Sequence, residues 1–97
     1  MSIKVIVELQ AHPGKRPALA HWLDSLVTTQ APTQAGFLGS TRYEVLDDPD
    51  RLIEIAEWES VEAREKHMRA SAAAGTYAPL VELLAAPFRA TVIREVP

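Results

Sequence analysis

Between residues 3 and 9 every second side chain is apolar: Ile3, Val5, Val7 and Leu9 alternate with Lys4, Ile6 and Glu8. A period of two built from strong β-formers predicts a first strand. His12, Pro13 and Gly14 then break the chain. Beyond them Ala18, Leu19, Trp22, Leu23, Leu26 and Val27 recur at helical spacing, with His21, Asp24 and Thr28 on the other side. This pattern predicts an amphipathic helix ending before Pro32. After a loop over residues 31–36, residues 37–46 read as a second strand. The cluster Asp47, Asp48, Pro49, Asp50 is turn chemistry, and residues 51–59 read as a third strand, so the two should pair as a hairpin. Ser60 is a good N-cap, and Glu62 lies in the first turn, where a carboxylate favours the helix dipole. The second helix runs from there toward Gly75. A short helix over about residues 76–84 would turn Leu80, Leu83 and Leu84 inward, and Pro87 closes it before a last strand over residues 88–96.

The order βαββαβ, with right-handed crossovers, puts both long helices on one face of a four-stranded antiparallel sheet, a ferredoxin-like α+β fold. The other face ought then to be polar. Yet the third strand carries Leu52, Ala56 and Trp58 on one side and Ile53 and Ile55 on the other. Ile6 and Ile93 repeat the point less completely on the first and last strands, among polar Lys4, Glu8, Arg89 and Glu95. Covering both faces is simplest with a second copy about a two-fold axis, which predicts a homodimer; loops or tails of the same chain are the alternative cover.

At 97 residues, the chain is expected to form one domain over 1–97 with one modest core. Hydrophobic residues at 47% and charged residues at 24% are those of an ordinary globular protein, which excludes a disordered or fibrous chain. No apolar run is long enough to span a bilayer and residues 1–10 lack a signal-peptide pattern, so a cytoplasmic location is expected. Without cysteine, thiolate metal sites and a cysteine nucleophile are excluded. The net charge of −3 with interspersed signs gives no basic stripe for nucleic acid.

Along the second helix Glu62, Glu65, Lys66 and Arg69 share one arc, which faces water. His67 and Ser71 fall near the middle of the inward arc, flanked by several alanines that leave space. A titratable ring facing space suits a general acid or base in a ligand pocket; a core histidine hydrogen-bonded to a neighbour fits the same pattern. Arg64 shares that arc, either extending its head to water or binding an anionic or carbonyl group. No His/Asp/Glu set has metal-ligand spacing, and the Asp47–Asp50 cluster reads as a solvated turn. No nucleotide-binding, nucleophile-elbow or zinc-protease motif occurs.

The run Glu57-Trp58-Glu59-Ser60-Val61-Glu62-Ala63 followed by His67, preceded by Gly36-Phe37, a strand containing Tyr43 and the Asp48-Pro49 turn, resembles the antibiotic biosynthesis monooxygenase family. The resemblance spans nearly the whole chain. It implies a dimeric ferredoxin-like α+β barrel with a cavity between sheet and helices. It further implies oxygenation of a small aromatic phenol or quinol without metal, flavin or other cofactor. Isomerisation or tautomerisation of a small oxygenated metabolite, and non-catalytic binding of a small ligand, are the alternatives. By that resemblance His67 and Tyr43 are the candidate catalytic residues, Trp58, Tyr77 and Phe37 the candidate substrate contacts beside the Arg64 of the helical arc, and Arg89 a further placement near the cavity. The haem-degrading relatives carry an asparagine on the first strand and an inward tryptophan on the second helix. Here the first strand has no asparagine and the helix position is His67, which speaks against haem degradation.

Overall fold

Alternation along four segments becomes one sheet. The structure, a computed structural model, describes residues 2–30 and 35–97, with only the backbone over 27–30. The expectations for Val27, Thr28, Pro32 and most of the 31–36 loop lie outside the described residues. The elements follow in the order β1 (Ile3–Gln10), α1 (Arg16–Gln30), β2 (Phe37–Val45), β3 (Asp48–Trp58), α2 (Val61–Ala74), α3 (Ala78–Leu83) and β4 (Arg89–Ile93). The strands pair antiparallel in the spatial order β2-β3-β1-β4, the ferredoxin-like arrangement, with β3 and β1 at the centre.

The hairpin is tighter than the sequence suggests, because Asp48, Pro49 and Asp50 belong to β3 and only Leu46 and Asp47 form the turn. Pro49 is tolerated there for a geometric reason. Asp50 directs its carbonyl to Ala11 beside β1, so the amide position of Pro49 faces β2, where the register shift from Glu44–Leu52 to Val45–Asp48 leaves residues 49–51 without a counterpart. β4 is shorter than expected and exposed throughout. The second helix starts and stops where its caps dictate. Ser60 Oγ accepts a hydrogen bond from the Ala63 N–H at 3.1 Å. At the other end Gly75 takes the left-handed conformation (φ 68°) that lets its own N–H reach the Ala72 carbonyl.

Register assigns the faces. Ile3, Val5, Val7 and Leu9 lie opposite Trp58, Ala56, Glu54 and Leu52, so these eight share the helix-covered side. The buried residues on that side form two groups rather than one. Leu9, Ala11, Leu19, Leu23, Leu52, Leu80 and Leu84 gather under α1 and α3, and Ile3, Val5, Ala56 and Trp58 gather near the start of α2. Val7 packs against both groups. Ala18, expected to face inward on α1, is exposed, because the buried stripe runs through Leu19 and Leu23. α2 buries a single side chain, Ser71, and so stands off the sheet instead of closing over it. Among the described residues no helix is long and apolar enough to cross a membrane.

Candidate functional site

The space between the two core groups is a cavity of about 120 Å³. That exceeds by far the ~10–15 Å³ needed for one water, which separates it from a packing defect. Its floor is the sheet: Val5 and Val7 of β1, Ala56 and Trp58 of β3, and Ala90 of β4. Its walls come from Leu23 of α1, Met68 of α2 and Leu80 of α3. Against this apolar lining stand four polar side chains, Glu54, Arg64, His67 and Tyr77. An apolar chamber with a few convergent polar groups is the usual form of a small-molecule site.

His67 sits two turns into α2, carried there by the Ser60 cap. Its ring centroid lies 5.1 Å from that of Trp58, which in turn meets Phe37 edge-on at 5.2 Å. Two hydroxyls converge on one nitrogen: His67 Nε2 lies 3.1 Å from Tyr77 Oη and 3.3 Å from Ser71 Oγ. Tyr77 also packs its ring on Trp22, at a centroid distance of 6.3 Å. Burial pushes the His67 pKa below its usual 6.5, and the nearby Arg64 guanidinium pushes it the same way, so the ring is neutral at physiological pH. Burial raises the Tyr77 pKa, with the Ser71 hydrogen bond and the Arg64 charge working against it. The neutral phenol is the form that remains. Nε2 of a neutral ring accepts from these hydroxyls when the ring proton is on Nδ1. Tyr77 and the imidazole both line the cavity, joined by this one contact.

The comparisons agree with this architecture. The sequence model of the antibiotic biosynthesis monooxygenase family matches residues 2–78. The chain belongs to the antibiotic biosynthesis monooxygenase family. Among solved structures, Rv0793 of Mycobacterium tuberculosis is 25% identical, superposes with a TM-score of 0.81, and matches over 100% of this chain and 97% of its own. A Bordetella bronchiseptica protein assigned to the antibiotic biosynthesis monooxygenases is 21% identical with a TM-score of 0.84, over 99% and 98% of the two chains. SnoaB, a cofactor-independent oxygenase from Streptomyces nogalater, shares 14% identity at a TM-score of 0.81, over 97% and 92%. No curated protein sequence matches this chain.

Within this monooxygenase-family fold, His67, Trp58, Tyr77, Arg64 and Phe37 all line the one cavity. Tyr43 does not. It pairs with Ile53, whose parity is opposite to that of Leu52 and Glu54, so its ring stands on the far face of the sheet, 48% exposed. A strand tyrosine can serve only the face that its register gives it. Arg89 is likewise displaced: its side chain is 81% exposed and lies 3.9 Å from Glu8 on the same far face. The residue that the sequence reading passed over is Glu54. It shares the parity of Leu52, Ala56 and Trp58, and a lone carboxylate within an apolar row was the available signal. Its carboxyl is pushed upward chiefly by burial, with Arg42 opposing. Among the described residues no group of three or more His, Asp or Glu is placed to hold a metal ion.

Proposed function

We propose that this protein is a cofactor-independent monooxygenase that oxidises a small phenol or quinol, working as a homodimer. The observation that carries the reading is His67, held by two hydroxyls at the edge of a largely apolar chamber. A phenol entering the chamber donates to Tyr77 Oη while Tyr77 donates to His67 Nε2, so the substrate proton passes to the imidazole through one hydroxyl. Trp58 and Phe37 supply flat apolar surface for the ring, and Arg64 places positive charge near the phenolate. The chamber excludes water from the electron-rich anion, which reduces O₂ directly. The atoms balance without a further reductant: a phenol and O₂ give a quinone and water. Membership of the family and the likeness in fold to SnoaB support this chemistry.

The sheet's far face supports the homodimer. Ile6, Ile53 and Ile55 are only half-buried, and at the two edges of the same face Ile93 is 38% and Tyr43 48% exposed. A self-complementary apolar surface of this kind closes about a two-fold axis.

The test is oxygen consumption by the purified protein with a panel of polycyclic phenols and quinols, wild type beside His67→Ala. Uptake that disappears with His67 supports the reading, and uptake that survives in the variant removes His67 from the chemistry. A second reading, an isomerase, is favoured by the presence of two titratable groups, His67 and Glu54, in one cavity. It predicts product without oxygen uptake.

A further inference from the structure

Ser71 is the one buried polar residue among the described residues, 5% exposed. It stands in a run of alanines, Ala70, Ala72, Ala73 and Ala74, on a helix whose other residues are exposed or half-buried. A methyl group would serve packing at position 71 equally well, and a hydroxyl taken out of water is costly unless it is bonded. A helical serine often turns its hydroxyl back on the carbonyl four residues earlier. Here it meets the side chain four residues earlier: Ser71 Oγ lies 3.3 Å from His67 Nε2. The same hydroxyl is hydrogen-bonded to Tyr77.

The end of α2 brings this third group in. Gly75 takes the left-handed conformation and the Thr76 N–H donates to the Ser71 carbonyl at 3.0 Å, so the chain reverses and returns Tyr77 to the side of α2 that carries His67 and Ser71. Ser71 therefore helps close the helix with its carbonyl and meets the site with its hydroxyl.

Hydrogen bonding within the trio has few solutions. Nε2 of a neutral imidazole offers one lone pair or one N–H, never both. If Nε2 carries the proton, three hydrogens face two oxygens, and the third has no acceptor within the trio. With the ring proton on Nδ1, two hydroxyl hydrogens meet two acceptors. Tyr77, the nearer to Nε2 at 3.1 Å, donates to the nitrogen, and Ser71 donates to Tyr77 Oη. Both hydroxyl hydrogens are then used, and Oη keeps a lone pair for a hydroxyl arriving from the cavity.

We propose that Ser71 is a positioning residue, whose hydroxyl, bonded to Tyr77 Oη, aims the Tyr77 proton at His67 Nε2 and holds the imidazole in its Nδ1-protonated tautomer. The inference rests on the reading of Tyr77 and His67 as the proton path, and it adds the group that gives the path its direction. Without Ser71 the phenolic hydroxyl is free to take its other in-plane orientation, away from the nitrogen. Tyr77 then loses its hold on the imidazole, and the ring is free to carry its proton on Nε2, where it takes none from a substrate.

Two measurements test this, one of them independent of turnover. Imidazole nitrogen NMR shifts, taken above the pH at which the ring loses its proton, should show His67 protonated at Nδ1 in wild type. In Ser71→Ala the population should move toward the Nε2-protonated form. The second measurement is a double-variant cycle on phenol turnover with oxygen. Ser71→Ala should lower kcat about tenfold with KM unchanged, the effect of one hydrogen bond, and Ser71→Thr, which keeps the hydroxyl, should recover most of the loss. In a Tyr77→Phe background Ser71→Ala should change kcat by about twofold or less, because the group it acts through is gone. Thermal unfolding checks that each variant is folded. A loss that persists in full in the Tyr77→Phe background makes Ser71 a packing residue and overturns the proposal. A wild-type ring protonated at Nε2, or a tautomer that Ser71→Ala leaves unchanged, overturns it as well. A wild type that turns over no phenol overturns the oxygenase reading, and the nitrogen shifts then decide the role of Ser71 by themselves.

Discussion

The imidazole of His67 lies against the indole of Trp58, with ring centroids 5.1 Å apart and planes inclined at 32°. An aromatic face favours a cation, and by itself this contact would raise the imidazole's affinity for a proton. Two effects oppose it. Burial removes the water that would solvate the charged ring, and the Arg64 guanidinium repels it. Desolvation is the larger and sets the direction, so the pair behaves as a neutral base beside an apolar wall.

The pH dependence follows from that direction. Turnover should rise with pH through a midpoint below 6.5, as the ring loses its proton, and then level off. Arg64→Gln removes the repulsion and should move the midpoint upward, which imidazole proton shifts in an NMR titration would show. Stability changes with the corresponding sign. The unfolded ring takes up its proton near 6.5 and the folded ring only at lower pH, so His67 costs stability as pH falls below 6.5 toward its folded value. His67→Gln should lack this loss. Glu54, whose folded pKa is raised from 4.5, acts in the opposite sense in acid, so the difference between wild type and variant isolates the histidine.

Tyr77→Phe keeps the ring that packs on Trp22 but deletes the hydroxyl 3.1 Å from His67. The loss in stability should be small, about 0.5–1.5 kcal/mol in chemical denaturation. Activity should fall by about 10² or more, since the proton path then has no carrier. Activity at the wild-type level would mean that substrate reaches the imidazole without Tyr77.

Gly36 is a position where a methyl group has no room. A Cβ there would stand 2.6 Å from the Ala63 side chain, and its φ of 85° already disfavours any side chain. Its carbonyl accepts the Glu59 N–H at 2.7 Å, tying the start of β2 to the end of β3 beside Trp58. Gly36→Ala should cost roughly 1–3 kcal/mol from backbone strain alone. Adding Ala63→Gly should recover only the part due to the clash, and thermal unfolding of single and double variants separates the two.

Ile55→Lys puts a charge on the far face of the sheet without touching the cavity. It should convert the proposed homodimer to monomer, as read by light scattering after size exclusion. A wild type that is monomeric at micromolar concentration would remove the dimer from the reading.

Periodicity carried most of the architecture. The alternation in β1 and β3, the Ser60 cap and the Gly75 stop all lie where side-chain chemistry is local, and each has its counterpart in the structure. The turn at Asp48 and Pro49 was less legible, because whether a proline can enter a strand depends on where the pairing with its partner strand is bulged. In the site, His67 and Arg64 followed from helical projection. Tyr43 was misplaced because the phase of an edge strand is set by its register with β3, where bulges shift the count between Phe37 and Gly39 and between Glu44 and Val45. Glu54 was passed over for the reverse reason: its parity was readable, but its pairing with Arg42 is a tertiary fact.

β3 divides its side chains strictly by parity, with Glu54, Ala56 and Trp58 on the cavity side and Ile53 and Ile55 on the other. Loss or gain of one residue within this strand would exchange the two sets, delivering isoleucines to the chamber and a carboxylate and an indole to the far face. Such a lineage would lose the cavity lining and the apolar far face in a single step. Descendants of this chain can therefore change specificity by substitution along β3, while changes in length are confined to its ends, where the two-residue turn at Leu46 and Asp47 can lengthen without disturbing the phase.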